Sequence, residues 1–137
     1  MGGLTLGKRD LLTVVAADDD DDIRALVAIA VERVGLQLVA SVADGDAAWD
    51  SIRSTAPDIA ILDVSMPGKS GLDVCQLIRE DDSVKDTTIL LLSASVTEWS
   101  QKSGFDVGAN EYLMKPFSPR DLAARLSDLA VELGQGR

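Results

Sequence analysis

Ile59-Ala60-Ile61-Leu62-Asp63-Val64-Ser65-Met66-Pro67-Gly68 is an apolar run that passes straight into one carboxylate and then a turn. The run reads as a strand with Asp63 at its carboxyl end. In an open α/β sheet that edge is where ligands bind, so an acid there is better placed for chemistry than for packing. Taken alone, Asp63 is equally consistent with a residue that simply starts a loop. Its company argues otherwise: Asp18-Asp19 end a second apolar strand, Ser93 a third and Lys115 a fourth.

Working outward, strands are predicted near 12–17, 37–41, 59–62, 88–92 and 111–114, alternating with helical patterns. The first helix is clearest. Ile23, Leu26, Val27, Ala30, Val31 and Val34 recur at helical spacing, and Gly35 suits the left-handed residue beyond its end. Asp44 suits the cap of the second helix and Ser70 with Asp73 a capping box for the third, where side-chain oxygens accept from otherwise unpaired amides. Ser118-Pro119-Arg120-Asp121 repeats that signal for the last helix, on which Leu122, Leu126, Leu129 and Leu133 mark one face. The fourth helix, around Thr97 to Val107, has the weakest pattern, because Gly104 interrupts it and Trp99 is its one bulky anchor before Phe105. Parallel strands need crossover connections, so five βα units imply a doubly wound α/β fold with helices on both faces and all four marked strand ends on one edge.

A chain of 137 residues has room for one core and not for two ordinary domains. The expected organisation is an N-terminal extension over 1–10, one domain over 11–133 and a tail over 134–137. The apolar runs are too short to span a bilayer, and Met1 to Asp10 lacks the apolar centre of a signal peptide, so a cytoplasmic location without membrane contact is expected. Cys75 is the only cysteine, which excludes an internal disulfide; its place in a helical apolar pattern predicts simple core packing. There is no histidine, which removes a Ser-His-Asp triad, an imidazole base and most transition-metal sites. A net charge of −10 without a Lys/Arg cluster argues against direct nucleic-acid binding, so protein partners are expected.

Within the run Asp18 to Asp22 the last three acids suit a solvated loop and a helix start, where the dipole favours negative charge. Asp18 and Asp19 are different. If they converge with Asp63, the repulsion is on the order of 4 kcal/mol per pair at about 4 Å and an effective dielectric near 20. A hard cation with oxygen ligands offsets it, and Mg²⁺ suits such a site because it keeps several waters and accepts phosphate oxygens. Lys115 adds a second positive charge. A cation, an ammonium and a hydroxyl around one carboxylate describe phosphoryl transfer, with Asp63 as nucleophile and an aspartyl phosphate as product.

These residues resemble the receiver domain of bacterial two-component response regulators, from about Leu11 to Leu133. The carrying features are Asp18-Asp19, the Ile-Leu-Asp-Val-Ser-Met-Pro-Gly segment with Gly71, Leu-Leu-Ser-Ala at 91–94, and Tyr112-Leu-Met-Lys-Pro-Phe117. The resemblance implies a five-stranded sheet in the flavodoxin-like order 2-1-3-4-5, for which a receiver protein is itself a standard example. It makes Asp63 the phosphoacceptor, Asp19 a direct Mg²⁺ ligand, Asp18 a ligand mainly through water, and Ser65 a ligand through its backbone carbonyl. Ser93 and Lys115 would each meet a phosphoryl oxygen, and Tyr112 would rotate inward as a switch. The surface that changes would be that of the fourth helix, fifth strand and fifth helix.

The sequence departs from the usual pattern at Asp20-Asp21, where a Glu-Pro pair is common and would pre-set the helix start. Ser65 and Ser95 occupy positions that tune phosphate loss in this family, and their small size leaves room for water. The Lys115-Pro116 bond is commonly cis in the family, whereas sequence alone predicts trans. Without histidine, the phosphoryl donor must be an external histidine kinase or histidine phosphotransfer protein, and the output an unidentified protein target. Two alternatives stay open. One is a receiver fragment of a DNA-binding transcriptional regulator, with Glu111 and Arg125 near the surface used for phosphorylation-dependent homodimers. The other is a Mg²⁺-dependent phosphatase of the haloacid dehalogenase type, opposed by the nucleophile's place on strand three and by Val64-Ser65 after it.

Overall fold

Every residue of Ile59–Asp63 is buried, as a central strand covered on both faces requires. The computed structural model describes residues 11–94 and 106–134. In chain order the elements are β1 (Thr13–Ala17), α1 (Asp21–Val34), β2 (Gln37–Val42), α2 (Gly45–Thr55), β3 (Ile59–Asp63), α3 (Gly71–Glu80), β4 (Thr88–Ser93), β5 (Glu111–Met114) and α4 (Pro119–Glu132). All strand pairs are parallel, in the order β2-β1-β3-β4-β5. The helix expected around Thr97 to Val107 falls almost wholly outside the described residues, as does Ser95.

Side-chain alternation divides the sheet's burial into two cores. Val14, Ala16, Ile59, Ile61, Leu90 and Leu92 pack with α1 and α4, whereas Val15, Ala17, Ala60, Leu62, Ile89 and Leu91 pack with α2 and α3. Cys75 lies in the second core; its Sγ donates to the Val107 carbonyl at 3.3 Å, and burial pushes the thiol pKa up to about 11. It is a packing residue.

The helix ends follow the sequence signals. Asp20 caps α1, Asp44 caps α2, and Ser70/Asp73 and Ser118/Asp121 close full capping boxes on α3 and α4. Gly35 ends α1 with φ of 83°. One expectation is corrected. Leu133 is 41% exposed and not part of the buried face of α4, because the helix stops at Glu132. The chain also turns left-handed at Ala56, where φ is 46° without a glycine to announce it. No helix of the described residues is long and apolar enough to cross a membrane.

Candidate functional site

The strand register brings the marked strand ends to one edge. Ala17 pairs with Leu62, Asp63 with Leu92, and Ser93 with Met114, so the residues that follow β1, β3, β4 and β5 gather there. Backbone bonds then extend the sheet past its strands: the N–H groups of Asp18, Val64 and Lys115 donate to the carbonyls of Val42, Leu92 and Ser93 at 3.1, 2.9 and 2.8 Å. Gly71 closes the base of the loop after β3, its N–H donating to the Val64 carbonyl at 2.9 Å. A side chain there would not fit, since a Cβ would lie 2.3 Å from the Asp63 carbonyl oxygen.

One carboxylate oxygen from each of Asp18, Asp19 and Asp63 lies within 4.8 Å of the others. Asp18 and Asp63 are buried, and Asp19 is exposed at the mouth. Lys115 Nζ stands 2.9 Å from Asp18 Oδ2 and 3.3 Å from Asp63 Oδ1, an ammonium shared by two carboxylates. Burial, with the Asp18 charge beside it, raises the Asp63 pKa from 3.8 to about 6, against the opposing pull of Lys115 and the Ser65 N–H. Burial alone would lower the Lys115 pKa, but its bond to Asp18 and the two negative charges raise it. One monocation therefore does not balance the cluster.

Three carboxylates and one ammonium leave net negative charge in a buried corner. Asp18 Oδ1 accepts from the Asp20 N–H at 2.9 Å, and its buried Oδ2 is held by the Lys115 ammonium at 2.9 Å. An oxygen-only donor set with more negative than positive charge fits a hard divalent cation.

The response regulator receiver domain model matches residues 14–127, which take in all five strands but for Thr13, and the acidic edge. The chain belongs to this family. Its receiver fold is similar to that of the chemotaxis response regulator CheY4 of Vibrio cholerae, with 30% identity, a TM-score of 0.79, and coverage of 87% of this chain and 98% of that one. By sequence it is 34% identical over 124 residues to the phosphate regulon transcriptional regulatory protein PhoB of Pseudomonas aeruginosa, covering 90% of this chain and 54% of PhoB. It is also 34% identical to the DNA-binding response regulator MtrA of Mycolicibacterium smegmatis, over 82% of this chain and 48% of MtrA. The receiver spans about half the length of these curated relatives.

Among the receiver's expected site residues, the structure brings Asp18, Asp19, Asp63 and Lys115 into one cluster. Ser65 begins the adjoining loop, its N–H 3.4 Å from Asp63 Oδ1. Ser93 is fully buried at the end of β4. Tyr112 lies on β5, half-buried against the core under α2 and α3. The Lys115-Pro116 peptide bond is cis, as the resemblance implied and sequence alone did not.

Sequence reasoning missed Arg24, which donates to the Asp18 carbonyl at 2.9 Å, ion-pairs with Asp21 and so ties the acidic loop to α1. Its signal was a basic residue one turn into a helix that follows acids. Asp46 and Lys69, which also ion-pair, were missed because nothing local relates residues so far apart in sequence.

Proposed function

We propose that Asp63 is the phosphoacceptor of this receiver, and that Asp18, Asp19, Asp63 and the Ser65 carbonyl hold Mg²⁺ beside it. The observation that carries this reading is the convergence of three carboxylates at the carboxyl edge of a parallel sheet, two of them buried and sharing one lysine. Bound there, the cation would neutralise charge that develops on the phosphoryl oxygens. A carboxylate oxygen of Asp63 attacks phosphorus; the new P–O bond forms as the P–N bond of an external phosphohistidine breaks, and the imidazole leaves. Lys115 and the Ser93 hydroxyl each meet a phosphoryl oxygen.

The donor is a histidine kinase or histidine phosphotransfer protein, since receiver domains interact with histidine kinases and this chain has no histidine. Charge added at Asp63 then biases the surface formed by β5, α4 and the segment before β5, with Tyr112 rotating inward, and that surface binds a protein target in the cytoplasm. The chain turns over no external phosphate ester. The decisive experiment is incubation with Mg²⁺ and a small acyl phosphate, followed by intact mass measurement. One added phosphoryl group is expected, absent without Mg²⁺ and absent in Asp63→Asn; an unlabelled wild type would overturn the assignment.

A second reading adds an output domain. The curated relatives are named as transcriptional or DNA-binding regulators and are about twice the receiver's length. Arg125 Nη1 bonds Glu111 Oε1 at 2.9 Å and the Tyr112 carbonyl at 2.7 Å, which ties α4 to β5 on the surface where a phosphorylation-dependent homodimer would form. Reading the gene past the codon for Arg137 tests this: an in-frame DNA-binding domain supports it, and an immediate stop refutes it.

A further inference from the structure

The loop from Val64 to Ser70 carries Ser65, and contacts outside the acidic cluster fix its position. Its middle rests on the first turn of α2, where the Gly45 N–H donates to the Pro67 carbonyl at 3.1 Å. The approach is so close that a Cβ on Gly45 would stand 1.8 Å from the Lys69 carbonyl oxygen. Over this backbone contact the Lys69 ammonium ion-pairs with the Asp46 carboxylate. Gly68, with φ of 75°, packs against the same carboxylate, 2.3 Å from its Oδ2 to an imagined Cβ. The start of α2 is anchored in turn, because Asp44 Oδ1 accepts from the Ala47 N–H at 2.7 Å.

We propose that Asp46 and Lys69 are positioning residues, whose ion pair latches the 64–70 loop to α2 and thereby sets where the Ser65 carbonyl stands for the cation. The proposal rests on the Mg²⁺ site described under Proposed function. Both side chains are substantially exposed, at 59% and 38%, so the pair adds little to global stability. Its leverage is local. A metal ligand supplied by a loop carbonyl is only as well placed as the loop, and groups that orient ligands commonly change metal affinity by about tenfold or more when removed.

Charge alone makes a different forecast, which separates the two accounts. Through its field, loss of the Lys69 cation would tighten Mg²⁺ binding and loss of the Asp46 anion would weaken it. Loss of the latch weakens binding in both cases. Calorimetric titration of the full chain with Mg²⁺ should therefore give Kd values raised about tenfold in Lys69→Met and in Asp46→Asn, with Lys69→Arg close to wild type. Hydrogen exchange at the Gly45 amide should speed up in the two weakened variants, while urea midpoints stay near wild type because the pair is exposed. Lys69→Met binding Mg²⁺ as tightly as wild type, or tighter, overturns the latch. A wild type that binds no Mg²⁺ overturns the site reading itself, a result distinct from equal affinities in proteins that do bind.

Discussion

Replacing Asp63 with Asn should stabilise the metal-free protein, although it removes the proposed acceptor. Asp63 sits with a pKa of about 6 where an unfolded chain would hold it at 3.8. The native state therefore keeps a proton that the unfolded chain has released across that interval, and stability falls as pH rises from 3.8 to about 6. Above the interval the ionised side chain costs on the order of 3 kcal/mol, since each tenfold change in proton affinity is worth about 1.4 kcal/mol. Asparagine does not titrate and is close in shape. Its carbonyl can accept from Lys115 or the Ser65 N–H, and its amide can donate to the neighbouring Asp18 carboxylate. Urea unfolding of both proteins in chelator at pH 4, 5, 6, 7 and 8 isolates the effect, because titrations common to both cancel in the difference. Asp63→Asn should be more stable by roughly 2–3 kcal/mol at pH 7 and above, with the gap closing towards pH 4. Saturating Mg²⁺ should shrink or reverse the gap, because a cation bound to the native wild type adds about 1.4 kcal/mol for each tenfold excess over Kd. A gap that is absent at pH 8, or constant with pH, would refute the reasoning.

Two further variants probe the same balance and its surroundings. Lys115→Met removes the ammonium shared by Asp18 and Asp63, so the Asp63 pKa should rise further and the penalty should grow with pH. Urea midpoints in chelator should show a loss of about 2–4 kcal/mol at pH 8 and much less at pH 5, and equal losses would contradict this. Arg79 donates to the carbonyls of Gly108, Lys85 and Thr87 and to the Asn110 side chain, at 2.6–2.9 Å, joining α3 to the segments before β4 and β5. Arg79→Met should cost about 2–4 kcal/mol by urea unfolding and leave the Mg²⁺ Kd unchanged, whereas a loss under about 0.5 kcal/mol would show those bonds to be idle.

How much of this was legible depends on whether the signal is local. Capping boxes at Ser70/Asp73 and Ser118/Asp121 span four residues each, and both form as read. The apolar runs that become β3 and β4 are equally self-contained, and all their residues are buried. Strand order is not local, and it came from resemblance, not from periodicity. Neighbouring acids also look alike in sequence but diverge in space: Asp18 is buried under Lys115 and Asp19 is exposed, because the chain leaves the sheet between them. Leu133 continues the helical rhythm but stands one residue past the helix, at its C-cap. The contacts of Gly45 with the 67–69 backbone were invisible for the same reason, since they exist only once β1 separates β2 from β3 and the loops after β2 and β3 meet.

The acidic pocket is thus a place where stability and the proposed chemistry oppose each other. A core position that held a neutral side chain at 63 would be more stable, as the raised pKa of Asp63 implies. What keeps the acids together is the rest of the fold: two apolar cores on either face of the sheet and backbone bonds that carry the sheet past its strands. On the proposed reading, that stored repulsion would also be the source of Mg²⁺ affinity. A site that gathers three carboxylates around one ammonium would gain most from a divalent cation held by Asp18, Asp19 and Asp63, whose charge would also favour phosphoryl oxygens beside it. Neutralising Asp63 should accordingly relax the metal-free protein and weaken its hold on Mg²⁺ together, so the same substitution must move stability and metal affinity in opposite directions.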